Sequence, residues 1–416
     1  MDRLIINGGR KLEGSVRISG AKNAVLPLIA AALLSNGKSI IKNVPHLRDV
    51  FTMCRLLNML GAESELKDGT LLLDTSGINS VEAPYELVKT MRASVYVMGP
   101  LLARFGESKV SQPGGCAWGP RPIDLHLYGM EKLGAHIELE EGYIKASASK
   151  LTGGEIHFRK SSVGATGNVL MASVMAEGET VITNAAIEPE ISSLAYNLVK
   201  MGANIEGIGS KELRITGVRK LNSLETSVIP DRIEAGTFLT AAALTGGKVT
   251  LENAEQNHLS SIIDKLKVAG ASISADKDII IESEGYIKPT DVVTEIYPGF
   301  PTDMQAQWIA LMSIANGNSV VEDTIYLDRF THVAELNRLG ADIKVEFNKA
   351  YVSGVKELKG APVMSTDLRA SASLILAGLK AQGTTEVHRI YHIDRGYEAI
   401  EEKLSALGAD IKRVSD

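Results

Sequence analysis

The sequence predicts an α/β protein of two domains, each assembled from three copies of one small unit. Three observations carry this. Six segments read as the end of a helix, a small turn and the start of a strand: LNMLGAESEL, MEKLGAHIEL, LVKMGANIEG, LKVAGASISA, LNRLGADIKV and LSALGADIKR. Their turn glycines, Gly61, Gly134, Gly202, Gly270, Gly340 and Gly408, recur about every 70 residues, and a fixed period marks a repeated structural unit. A second marker keeps the same spacing: ALLSNGKSIIKNV, LLARFGESKV, VMAEGETVITNA, AALTGGKVTLENA, SIANGNSVVEDT and GLKAQGTTEVHRI. Each reads as the end of an apolar helix, a Gly near its C-terminus and an alternating strand. Finally, 416 residues exceed what one ordinary core organises, and six units divide evenly into three plus three.

Composition narrows the class. Hydrophobic content of 44% with 23% charged residues is that of a globular protein, and 5% aromatics leave the cores to Leu, Ile, Val, Ala and Met. No run is long and apolar enough to span a bilayer, and Met1-Asp2-Arg3-Leu4 does not open a signal peptide. The two cysteines, Cys54 and Cys116, form no disulfide framework, so a cytoplasmic protein is expected, without membrane contact. A net charge of −6 and the lack of a basic, aromatic-studded stripe argue against nucleic acid as a partner.

In each unit the marker helix should begin about 14 residues before its Gly, at SGAKNA, TMRASV, SVGATG, PDRIEAG, PTDMQAQ and TDLRASAS in turn. Each start carries Ser, Thr, Asp or Pro where an N-cap or first turn belongs, and each leads into an apolar stretch of a buried helix. Lys22, Arg92, Arg232, Asp303 and Arg369 thus hold nearly equivalent places, with Ser162 in the remaining one. Any one of these reads as an ordinary capping group or solvated charge. Four cations facing the positive end of a helix dipole need a reason, and an anion held jointly by cations and helix N-termini supplies it. If the three helices of each domain ran parallel, their starts would face one interdomain cleft.

The segment Ser111-Gln112-Pro113-Gly114-Gly115-Cys116-Ala117-Trp118-Gly119-Pro120-Arg121-Pro122 breaks the pattern. Its glycines and prolines predict an exposed loop. Cys116, near Arg121 and the helix of Arg92, suits a reactive thiol, whereas Cys54 in TMCRLLNML reads as core. The histidines show no ligand spacing, so no metal is expected. There is no Walker loop and no GxGxxG after a strand, so nucleotide-driven and dehydrogenase chemistry lack support.

SGAKNA, VKTMRASV, PGGC with Arg121-Pro122 and Asp124-Leu125-His126, FPTDMQAQ, TDLRASAS and YHIDRGYE together resemble the UDP-N-acetylglucosamine enolpyruvyl transferase family, from end to end of the chain. The resemblance implies an inside-out α/β barrel of two domains with three βαβαββ units each. It places a catalytic-loop domain at 22–229, with 1–21 and 230–416 forming the other and the active site in the cleft between them. It implies transfer of the enolpyruvyl group of phosphoenolpyruvate to the 3′-hydroxyl of UDP-N-acetylglucosamine, with release of phosphate, at the entry to peptidoglycan synthesis. Both partners are small molecules, no cofactor is needed, and a monomer is expected.

By position, the resemblance makes Cys116 the proton donor to carbon 3 of phosphoenolpyruvate and a target of the epoxide phosphonate fosfomycin. Asp303 would handle the proton of the sugar hydroxyl. Lys22, Arg121 and Arg395 would hold the phosphate and carboxylate of phosphoenolpyruvate, and Asn23 would bond both substrates. Arg92, Arg121, Pro122, Ile123, Asp124, Leu125, Lys160, Ser161, Ser162, Val163, Gly164 and Ile325 would bind the UDP-sugar, while Asp367 and Arg369 would support Arg395 and domain closure. Trp118 and Pro120 are bulkier or stiffer than the family's usual loop residues. The sister family that acts on shikimate 3-phosphate lacks the cysteine loop and has Lys-Ser where Lys22-Asn23 stands here.

Overall fold

One strand pattern recurs six times in the computed structural model, which describes residues 2–112 and 123–415. Every sheet has four strands: an edge strand parallel to its neighbour, then two antiparallel pairings. In one of them 225–227 runs parallel to Lys38–Lys42, which pairs with Thr70–Asp74, which in turn closes on Glu63–Lys67. The last pair turns through Asp68-Gly69, both at positive φ, the dipeptide favoured in a two-residue hairpin. The glycines of both sequence markers all adopt positive φ; those of the first lie between 86° and 109°. Only a residue without Cβ reverses the chain there at no steric cost, which is why the marker recurs.

Six inner helices follow the predicted starts: α1 (Lys22–Ala31), α2 (Met98–Phe105), α3 (Val163–Ser173), α4 (Arg232–Thr245), α5 (Gln305–Met312) and α6 (Leu368–Lys380). Short 3₁₀ turns, Arg92–Val97 and Thr302–Met304, lead into α2 and α5. The inner helices carry no solvent stripe; in α4 every residue from Ile233 to Thr245 is buried. The strands alternate buried and exposed residues, so helices form the inside and sheets the outside. Side chains cap three of the six starts: Ser162 accepts from Ala165 N, Asp231 from Ile233 N and Glu234 N, and Asp367 from Arg369 N and Ala370 N. At Ala21, Met91 and Pro301 no side chain caps the first turn, which departs from the uniform capping expected.

The chain divides into a central unit, Gly20–Ile229, and a terminal unit, Met1–Ser19 with Pro230–Asp416. Each has its own core of Leu, Ile, Val, Ala and Met. In the central unit α3 packs on both α1 and α2, and in the terminal unit α4, α5 and α6 pack on one another. The terminal unit recruits the chain's first strands: Arg3–Asn7 pairs with both Thr384–His388 and Asp410–Val414, and Leu12–Arg17 runs parallel to Gly247–Glu252. Among the described residues no helix is long and apolar enough to cross a membrane.

A buried charge fixes the end of the first segment in the terminal unit. Glu234, 2% exposed, accepts from Ser19 N at 2.7 Å and pairs with Lys403 Nζ at 2.7 Å. Burial pushes its carboxyl up, against the pull of Lys403, to about 7. A group raised in the folded state keeps a proton that the unfolded chain has released, so it erodes stability as pH rises from the unfolded value through about 7. Lys403→Met removes the cation and raises that carboxyl further. The expected cost is about 3 kcal/mol at alkaline pH and clearly less near pH 6, read from denaturation midpoints at the two pH values. Equal losses at both would contradict it.

Candidate active site

The terminal unit gathers several expected residues around one carboxylate. Asp303 sits in the Thr302–Met304 turn that opens α5. Its Oδ2 accepts from Arg369 Nη2 at 2.8 Å and its Oδ1 from Arg329 Nη2 at 2.9 Å. The arginine side chains are 7% and 8% exposed and Asp303 is 26% exposed, so the carboxylate alone reaches toward solvent. Burial pushes its carboxyl up, but Arg369 and Arg329 outweigh burial and hold it well below the usual carboxylate range. Asp303 is therefore ionised wherever the protein is folded at ordinary pH.

Polar groups of α4 and α5, with Tyr397 after the Ile390–Arg395 turn, brace this pair from below. Gln307 Nε2 donates to Asp303 O at 3.0 Å and to Thr237 Oγ1 at 3.1 Å. Tyr397 Oη lies 2.8 Å from Thr237 Oγ1 and accepts from Arg369 Nη1 at 3.4 Å. Asp367 serves α6 as its N-cap, accepting from the backbone N of Arg369 at 2.7 Å. Arg369 thus engages Asp303 and Tyr397 with its side chain. Arg395 ends the Ile390–Arg395 turn, and both it and Asp367 act electrostatically on His392, whose ring burial pushes down. Ile325, partly buried, follows strand Asn318–Asp323.

The central unit holds the other candidates. Lys22 opens α1 and its Nζ meets Asp49 Oδ2 at 2.6 Å, with side chains 13% and 5% exposed. Asn23 beside it is partly buried. Arg92 opens the turn before α2. Burial, then the charge of Arg92, pushes His126 down to about 4, so its ring is neutral. Asn168 in α3 ties this region together: its Oδ1 accepts from Gly99 N at 2.8 Å, and its Nδ2 lies 2.9 Å from Val95 O and 3.1 Å from His126 Nδ1. A Cβ on Gly164 would come within 3.0 Å of His126 Nε2. The expected segments Ile123 to Leu125 and Lys160 to Gly164 therefore adjoin through His126, and Arg159 pairs with Asp124 across them. Ser162 caps α3 with Val163 as its first residue, and Lys160 is exposed. Cys116, Arg121 and Pro122 lie outside the described residues.

Reading the sequence missed Asp49, Arg329, Asn168 and the role of Tyr397. No local pattern marks them, because each partner lies 26 to 73 residues away. The cations expected to await an anion are already met by protein groups: Lys22 by Asp49, Arg369 by Asp303, and Arg232 by the ring of Tyr297 at 5.7 Å. Such pairing balances each cation without a bound ligand.

The family model for EPSP synthase (3-phosphoshikimate 1-carboxyvinyltransferase) matches residues 6–404. The chain is 56% identical to the UDP-N-acetylglucosamine 1-carboxyvinyltransferase of Chlorobium chlorochromatii, over 99% of each chain. It is also 56% identical to that of Desulfosudis oleivorans, over 100% of each. Among solved structures, the enolpyruvyl transferase NikO from Streptomyces tendae is 25% identical with a TM-score of 0.89, covering 100% of this chain and 99% of that one. EPSP synthase from Acinetobacter baumannii, 20% identical with a TM-score of 0.77 and full coverage of both chains, shares the fold. Repeated sheets around buried helices and similarity along the whole length lead to one placement: the chain belongs to the EPSP synthase family of enolpyruvyl transferases, among the UDP-N-acetylglucosamine 1-carboxyvinyltransferases.

Proposed function

We propose that this chain transfers the enolpyruvyl group of phosphoenolpyruvate to the 3′-hydroxyl of UDP-N-acetylglucosamine, releasing phosphate, as the first committed step of peptidoglycan synthesis. The observation that carries the reading is 56% identity over essentially full length to enzymes named UDP-N-acetylglucosamine 1-carboxyvinyltransferase. Carbon 3 of phosphoenolpyruvate gains a proton, and carbon 2 becomes electrophilic. The sugar oxygen bonds to carbon 2 and gives up its proton. The resulting ketal then loses phosphate and a carbon-3 proton, which restores the double bond.

In this reading Cys116 gives the first proton, and Lys22, Arg121 and Arg395 hold the anionic groups of phosphoenolpyruvate. Asn23, Arg92, Ile123 to Leu125, Lys160 to Gly164 and Ile325 bind the UDP-sugar, and Asp367 holds the first turn of α6. Asp303 receives the hydroxyl's proton. Held between Arg369 and Arg329, its carboxylate is too weak a base to ionise a free alcohol. It can orient the hydroxyl by accepting its hydrogen bond. It takes the proton once the new bond to carbon 2 has made that oxygen strongly acidic. Proton transfer thus follows bond formation.

The test is phosphate release from phosphoenolpyruvate with each acceptor in turn. Release with UDP-N-acetylglucosamine and none with shikimate 3-phosphate is expected. The reverse pattern would overturn the assignment.

A further inference from the structure

Resting on that reading, we propose that Asp323 is a positioning residue that sets, with one carboxylate, both the turn carrying Asp303 and the loop carrying Ile325. Asp323 ends strand Asn318–Asp323 and is completely buried. Its Oδ1 accepts from Ile325 N and Tyr326 N, each at 2.9 Å, and from Thr294 Oγ1 on the neighbouring strand at 2.8 Å. Its Oδ2 accepts from Thr302 Oγ1 at 2.7 Å. The two oxygens therefore divide their work. One fixes the chain where it leaves the sheet toward Ile325, and the other reaches the residue next to Asp303.

Thr302 passes the constraint on. Its Oγ1 also accepts from Arg329 Nη1 at 3.1 Å, while Arg329 Nη2 holds Asp303 Oδ1 at 2.9 Å. Because the Thr302 hydrogen is committed to Asp323, its lone pairs face Arg329, which sets the plane of the guanidinium. Gln305 Nε2 donating to Arg329 O at 3.1 Å fixes the backbone of the same arginine. Asp303 is thus aimed from behind by a chain of hydrogen bonds running from Asp323 through Thr302 and Arg329. The alternative, that Asp323 only stabilises a strand end, explains the bonds of Oδ1. It leaves the separate bond of Oδ2 to Thr302 without a purpose.

The two halves of the role separate experimentally. Thr302→Val breaks the relay alone and should lower kcat by about tenfold or more, with the KM for UDP-N-acetylglucosamine within about threefold of wild type. Thr302→Ser keeps the hydroxyl and should restore kcat. Asp323→Ala should lower kcat, raise that KM, and speed hydrogen exchange of the Ile325 and Tyr326 amides, which Thr302→Val leaves unchanged. Wild-type kcat in Thr302→Val, or an unchanged KM with unchanged amide exchange in folded Asp323→Ala, overturns the role while the wild-type enzyme still turns over. No turnover of the wild type with UDP-N-acetylglucosamine overturns the functional reading and this role with it.

Discussion

Asp303→Ala is expected to lose turnover and stability together. On the proposed role the sugar hydroxyl then loses its orienting acceptor and the receiver of its proton, and general acid–base groups typically contribute about 10²- to 10⁴-fold. The stability loss has a separate cause. Arg329 and Arg369 are almost wholly buried and point at each other's partner. Removing their shared anion leaves two like charges facing across the gap, at a cost of about 3 kcal/mol, the lower end for a broken buried pair because Asp303 is partly exposed. Asp303→Asn keeps the shape but turns an amide donor toward a guanidinium, so it gains little over Ala. The sign with pH follows from the depressed carboxyl. Its stabilisation is complete above the unfolded value of about 4 and is lost as pH falls through the lower folded value. Wild type should therefore lose stability more steeply in acid than Asp303→Ala, and its pH–rate profile should show no limb from Asp303 above about pH 4. Urea titrations across acid pH, alongside saturating phosphate-release rates, check both. Turnover within about threefold of wild type would remove Asp303 from the chemistry.

The backbone of this protein was legible because one unit is written six times. A glycine forced to positive φ leaves a mark that survives divergence of everything around it, as Gly61 and Gly408 show from opposite ends of the chain. The starts of the inner helices were legible for the same reason. What faces those starts was not. Asp49 meets Lys22 from the beginning of the next helix, and Arg329 meets Asp303 from a loop after a strand. Repetition dictates where a side chain begins but says nothing of which group on another element it meets. The sequence therefore showed cations waiting for ligands, while the structure shows cations balanced by carboxylates. The same blindness hid Asp323, an ordinary acidic residue at a strand end until its second oxygen is followed to Thr302.

Cys116→Ala is expected to cut turnover by about 10²- to 10⁴-fold and leave UDP-N-acetylglucosamine affinity within about threefold. Carbon 3 needs an acid that is protonated at neutral pH yet releases its proton readily. A thiol with a reference pKa of about 8.5 meets both conditions, and alanine or a far less acidic serine does not. The sugar nucleotide asks nothing of that proton, so its affinity should persist. The chain has two cysteines, and the structure provides an internal control in the other. Cys54 is 7% exposed, and burial pushes its thiol up to about 11, leaving almost no thiolate at neutral pH. Fosfomycin alkylates by thiolate attack on an epoxide carbon; the carbon–oxygen bond opens and the released oxygen takes a proton. One adduct is therefore expected, on the peptide of Cys116, and none in Cys116→Ala. Mass spectrometry locates it. An adduct on Cys54 instead, or full turnover in Cys116→Ala, would take this thiol out of the mechanism and leave the first proton to another acid.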